Sequence, residues 1–122
     1  MEIKNYKQKL GIIGEKIAQE FLLDKNFNIL KLNYRFRRLG EIDIIAREKE
    51  FVCFIEVKTR KSTVFGMPSE AVNKRKQDRM IKLAYVYLKE HNIKDVNIRF
   101  DILEVLFNVQ NDYKINMIEN AF

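Results

Sequence analysis

The chain has 122 residues, 47% hydrophobic and 33% charged, enough for one globular domain, 1–122, with a real core and no need of disulfide staples. Its formal charge of +6 points to a polyanionic partner, and its single cysteine, Cys53, fits a reducing compartment. Met1 to Lys7 has no apolar signal region and no run approaches the ~18 apolar residues of a membrane span, so a cytoplasmic protein with no membrane partner is expected.

Tyr6 to Leu23 reads as a helix, with Leu10, Ile13, Ile17 and Phe21 in one stripe and Gly14, Ala18 and Leu22 widening it. Glu15 borders that stripe, and Gly11 and Gly14 would let the helix approach a sheet closely. Phe27 to Leu32 is a short strand. Asn33 to Gly40 then alternates basic residues (Arg35, Arg37, Arg38) with aromatic ones (Tyr34, Phe36). Gly40 to Ala46 and Phe51 to Arg60 are the next two strands, followed by a loop from Ser62 to Pro68. Ser69 and Asn73 are alternative N-caps for a second helix running to about His91. Ile81, Ala84, Tyr85 and Leu88 give its apolar face, and its first turns are basic. Val96 to Phe107 is a long strand carrying Asp101, Asn108 to Asp112 a turn, and Tyr113 to Ile118 a last strand. The order α-β-β-β-α-β-β reads as an α/β sandwich with a mixed sheet.

The chemistry lies in the second and third strands. Glu56 and Lys58 occupy positions where a buried strand wants apolar residues, and alternation puts both on the face of Val52 and Phe54. Cys53 falls on the opposite face, as a buried small hydrophobe. Buried charges are costly unless paired or bound to a metal. The charged run Arg47-Glu48-Lys49-Glu50 is the turn between the strands; closing it on Lys49-Glu50 opposes residues whose numbers sum to 99. Asp43 then faces Glu56, and Glu41 faces Lys58, with opposed Cβ atoms about 4.5–5.5 Å apart. Two carboxylates at that spacing suit one divalent ion. Oxygen ligands without a nearby histidine favour Mg²⁺ or Mn²⁺ over zinc. Such an ion polarises a phosphoryl oxygen and lowers the pKa of bound water. Lys58 can orient that water or stabilise the phosphate's developing charge, and Glu15 adds a third carboxylate.

Asp43 followed by Glu56-x-Lys58 resembles the PD-(D/E)xK signature of the restriction endonuclease-like superfamily. Gly14-Glu15, Asn33-x-Arg35, Gly40-Glu41-Ile42-Asp43, Phe54-Ile55-Glu56-Val57-Lys58-x-Arg60, Ala71-Val72 with Lys76, and Arg99-Phe100-Asp101 resemble the YraN family. That is a bacterial family of predicted endonucleases similar to archaeal Holliday junction resolvases. The resemblance covers roughly residues 10 to 105. It implies a restriction endonuclease-like three-layer sandwich, a mixed central β-sheet flanked by helices, with Asp43, Glu56 and Glu15 on the metal and Lys58 assisting the water. Ile42 stands where the superfamily's name has proline. Junction resolvases cut as pairs, so a homodimer is the assembly implied.

Two functions from different classes follow. One is a metal-dependent endonuclease on branched or flapped DNA; the other is a nucleic-acid-binding module or adaptor that keeps the nuclease fold without turnover. For both, Arg35, Arg37, Arg38, Arg60, Lys61, Lys74, Arg75, Lys76 and Arg79 form the expected phosphate track, with Tyr34 and Phe36 to stack or pack. Junction, flap, single-stranded DNA and RNA all remain open as the bound form. The lone His91 reads as a helix cap or surface residue.

Overall fold

The computed structural model describes residues 6–61, 72–110 and 112–122. The order is α1 (Tyr6–Asp24), β1 (Asn28–Arg35), β2 (Glu41–Glu48), β3 (Phe51–Lys61), α2 (Lys74–Glu90), β4 (Asn97–Phe107) and β5 (Tyr113–Ile118). The strands form one sheet in the order β1-β2-β3-β4-β5, antiparallel except for the parallel β3–β4 pair that α2 connects. A parallel neighbour needs a crossover, and the second helix supplies it. A mixed sheet between two helices is the α/β sandwich expected from the element order. The Ser62–Pro68 loop and the alternative cap Ser69 lie outside the described residues.

Both helices stop by the same device. Asn26 and Asn92 adopt the left-handed conformation, at φ 68° and 52°. The next residue then donates back to the helix: Phe27 N–H to Leu22 O, and Ile93 N–H to Leu88 O, each at 2.9 Å. Asparagine tolerates this conformation better than most side chains, and the bonds satisfy carbonyls the helix end would leave orphaned. At the other end of α2, Asn73 accepts the Lys76 N–H at 2.9 Å and is the N-cap.

Each face of the sheet has its own core. Ala18 and Leu22 of α1 pack on Ile44, Ala46, Cys53, Ile55, Leu103 and Val105. Leu83, Ala84, Tyr87 and Leu88 of α2 pack on Ile42, Ile45, Val52 and Phe54. Val52 through Ile55 have no exposed surface, as expected of a central strand covered on both sides. Cys53 is among them, and burial pushes its thiol up to about 12, so it is an inert core residue.

Three expectations are corrected. Ile13 is 40% exposed, and the buried line of α1 runs through Gly14, Ala18 and Leu22. On α2, Tyr85 is exposed, while Met80, Leu83 and Tyr87 turn inward. On α1 the close fit of Gly14 against Thr59 of β3 goes with this phase. The first strand also extends past Leu32 to Arg35, because Tyr34 and Arg35 pair with Ile42 and Glu41.

Arg99 and Asp101 of β4 are structural. The Arg99 Nε donates to both Asp101 oxygens at 3.0 Å and its Nη1 to Glu48 at 3.0 Å, while its guanidinium lies over the Phe27 and Phe51 rings. Asp101 also accepts the Asn120 N–H at 2.8 Å, tying the C-terminal residues to the sheet. A buried charge paired with two carboxylates is tolerated.

Candidate active site

The β2–β3 hairpin pairs Glu48 with Phe51, Ala46 with Cys53 and Ile44 with Ile55, so the opposed numbers sum to 99. Lys49 turns the chain with a φ of 54°. The ladder ends at Ile44–Ile55, one step before Asp43 and Glu56 would oppose each other. There β2 leaves the ladder, and Asp43 Oδ2 accepts the Val57 N–H at 2.8 Å. Asp43 and Glu56 are thereby held on adjacent strands and line the same recess, of about 240 Å³. Glu41 also lines it, with Lys76 and Arg79 of α2, and with Leu39, Gly40, Met80 and Leu83. Gly40 closes the turn into β2 with a φ of 117°, a conformation that side chains rarely adopt.

Glu15 reaches the same neighbourhood from the other helix. Its carboxyl is raised above the ordinary value by burial and by the charges of Glu41 and Glu56. Asp43 is pushed up to about 7, first by burial, then by Glu56, with Glu15 and Glu41 adding to the effect and the Val57 N–H opposing it. Four carboxylates thus crowd together and repel one another. A divalent cation is the natural remedy for that repulsion. Among the described residues no three His, Cys, Asp or Glu side chains already converge tightly enough to enclose an ion. Mg²⁺ does not require that: it commonly takes one or two carboxylates and completes its shell with water and substrate phosphate. The donor set of Asp43 and Glu56, with Glu15 beyond them, fits such an ion.

The remaining site candidates divide. Lys58 follows Glu56 by two residues and is half-buried, with Glu104 of β4 as its register partner. Its expected partner Glu41 pairs instead with Arg35 at 3.1 Å, because the β2–β3 ladder has ended. Lys76, expected on the phosphate track, donates to Glu56 Oε1 inside the recess. Arg60 lies 3.7 Å from the buried Glu104, and Lys74 pairs with Asp78 at 3.2 Å. Arg37, Arg38, Lys61, Arg75 and Arg79 are exposed. Tyr34 is unavailable to a base: it is buried edge-on against Tyr87 and donates its hydroxyl to Glu90. Phe36 is half-buried beneath Arg37. His91 caps α2, its ring stacked on Tyr87.

Sequence reasoning placed Glu41 opposite Lys58 but not among the carboxylates of the recess, and it passed over Glu104. Glu41 has a legible signal, since it stands two positions before Asp43 on one strand. Glu104 has none, because its place beside Lys58 depends on the parallel register of β4. Among the described residues no helix is long and apolar enough to cross a membrane.

Comparison with known proteins gives one consistent result. The family described as Uncharacterised protein family UPF0102 matches residues 14–105, which includes Glu15, Asp43, Glu56, Lys58 and Lys76. A UPF0102 protein of Acetivibrio thermocellus is 49% identical, covering 98% of this chain and 95% of that one. Another from Alkaliphilus oremlandii is also 49% identical, over 94% and 98% of the two chains. One from Caldanaerobacter subterraneus is 46% identical, over 95% and 96%.

Proposed function

The chain belongs to the uncharacterised protein family UPF0102, and we propose that its recess is the active site of a metal-dependent endonuclease of the PD-(D/E)xK type. The observation that carries this reading is the convergence of Asp43 and Glu56 from adjacent strands in one recess, with Asp43 raised to about 7 by burial and neighbouring carboxylates. Glu41 and Glu56 each hold a cation, Arg35 and Lys76, whereas the contact described for Asp43 is the Val57 N–H.

Asp43 and Glu56 would hold Mg²⁺ or Mn²⁺, with Glu15 as the third carboxylate. The bound ion would supply Lewis-acid polarisation of a phosphoryl oxygen and a water of lowered pKa. Lys58, on the face of Glu56, would orient the attacking water or donate to the pentacovalent phosphate. The Val57 N–H fixes one oxygen of Asp43, so that this carboxylate is set before substrate arrives. Arg37, Arg38, Lys61, Arg75 and Arg79 would contact the phosphates on either side. DNA of branched or single-stranded form is the proposed substrate, with RNA as a comparison.

The second reading is a nucleic-acid-binding adaptor without turnover. The ion pair between Lys76 and Glu56 favours it, since it occupies an oxygen the metal would use. One experiment separates the two. The protein is incubated with labelled junction, flap, single-stranded, duplex and RNA substrates, with Mg²⁺, Mn²⁺ or chelator. Metal-dependent cleavage abolished by Asp43→Ala supports the nuclease; tight binding without cleavage in every metal condition supports the adaptor.

A further inference from the structure

We propose that Lys76 is an exchangeable cation of the recess, pairing with Glu56 in the metal-free protein and turning to a phosphate of the bound strand once metal is held. The inference rests on the nuclease reading of the same recess and adds a substrate-contacting residue to it.

The two partners of this ion pair differ in freedom. Glu56 sits on the central strand with a side chain only 9% exposed, whereas the Lys76 side chain is 40% exposed. The backbone of Lys76 is fixed in the first turn of α2, where its N–H is held by Asn73 Oδ1. Its flexible four-carbon stem is not. The ammonium can therefore leave the carboxylate without disturbing sheet or helix.

Charge supplies the reason for it to leave. Glu41 is engaged by Arg35 and Glu56 by Lys76. A divalent ion bound by Asp43 and Glu56 needs the Glu56 oxygens, and an ammonium on the same carboxylate would repel it at close range. Released, Lys76 faces the open side of the recess beside Arg79, which lies three residues on along the same face of α2 and lines the same recess. The first turn of α2 is also the end of the helix whose dipole favours anions. A phosphate at the mouth of the recess would meet both side chains there.

The test uses three measurements on the full chain. In the first, nitrogen-15 NMR of lysine ammonium groups follows Lys76, assigned by its loss in Lys76→Met. Its signal, protected by the bond to Glu56, should shift or vanish on adding Mg²⁺. In the second, Mn²⁺ affinity is read by electron paramagnetic resonance. Lys76→Met should bind Mn²⁺ roughly two- to fivefold more tightly, the worth of one partly exposed ion pair. In the third, Lys76→Met at saturating Mn²⁺ should cut about a hundredfold more slowly, with Lys76→Arg intermediate. Melting curves in chelator show that the variants are folded, and Lys76→Gln, which keeps a donor for Glu56, serves if Lys76→Met is not. A wild-type protein that binds Mn²⁺ and cuts, while Lys76→Met shows unchanged or weaker Mn²⁺ affinity, overturns the role of Lys76 alone. A wild-type protein that neither binds Mn²⁺ nor cuts overturns the nuclease reading and this inference together.

Discussion

Gly14 of α1 lies so close to Thr59 of β3 that a Cβ on the glycine would stand 2.0 Å from the Thr59 Oγ1. No side chain but hydrogen fits, and the contact sets the distance between helix and sheet one residue before Glu15. Gly14→Ala should destabilise the protein by roughly 1–3 kcal/mol, despite alanine's better helix propensity. It should also impair cleavage by displacing Glu15. Thr59→Ala removes the two closest atoms, so the double variant should recover most of the loss in a denaturant-melt cycle. Additive destabilisation would mean the contact does not position the helix.

The crowded carboxylates make stability depend on pH in an unusual direction. In the folded chain Asp43 favours its protonated form, its carboxyl standing at about 7 against an ordinary 3.8. Its contribution is therefore full below about pH 3.8 and is lost as the pH rises through about 7. In chelator, the wild type should lose stability across that window. Asp43→Asn should not, and should be the more stable by roughly 1–3 kcal/mol at pH 8, a figure reduced because the recess opens to water. Melting temperatures of both proteins at pH 5 and pH 8 decide it; parallel curves would refute the crowding.

Metal binding and turnover should separate among the site residues. Asp43→Ala and Glu56→Ala should abolish both Mn²⁺ binding and cleavage, and leave DNA binding intact or tighter because a negative charge beside phosphate is gone. Lys58→Ala should still bind Mn²⁺ and lose roughly 10²–10³-fold in cleavage rate. If Asp43→Ala cuts as fast as the parent, the site lies elsewhere.

Arg37 and Arg38 stand exposed in the β1–β2 turn, next to Leu39 and Gly40 of the recess. Each phosphate neutralised on duplex DNA contributes roughly −0.9 to the slope of log K against log salt. Replacing both by alanine should flatten that slope by up to about 2 in binding titrations from low to moderate salt. An unchanged slope would take the β1–β2 turn out of the phosphate track.

Much of the site was legible because its register is local. Closing the charged run Arg47 to Glu50 on Lys49-Glu50 gives the opposition of Ile44 with Ile55 and the approach of Asp43 to Glu56, and the hairpin does close there. The order of elements was legible for the same reason, through the apolar period and the charged and polar turns between the runs. What escaped depends on contacts distant in sequence. Tyr34 looks like a stacking residue until α2 covers it with Tyr87 and Glu90. Lys76 looks like one more surface cation until α2 is laid along the sheet, where its first turn meets Glu56. The phase of each helix also escaped, because Ile13 and Tyr85 are as apolar as their buried neighbours, and only shape against the sheet chooses between them.

The sheet order has a kinetic consequence. Strands β1, β2 and β3 are joined by short turns, whereas Asn97 of β4 lies 46 positions beyond Phe51, its partner on β3. Closing the longer span costs more chain entropy and is the slower event. Pulse-labelled hydrogen exchange should find the β2–β3 amides protected before those shared by β3 and β4; simultaneous protection would contradict this order. During the interval the stretch Val52 to Ile55 of β3, which is fully buried once folding is complete, has one edge unpaired. That open edge is where self-association competes with folding, so yield on refolding should fall as protein concentration rises.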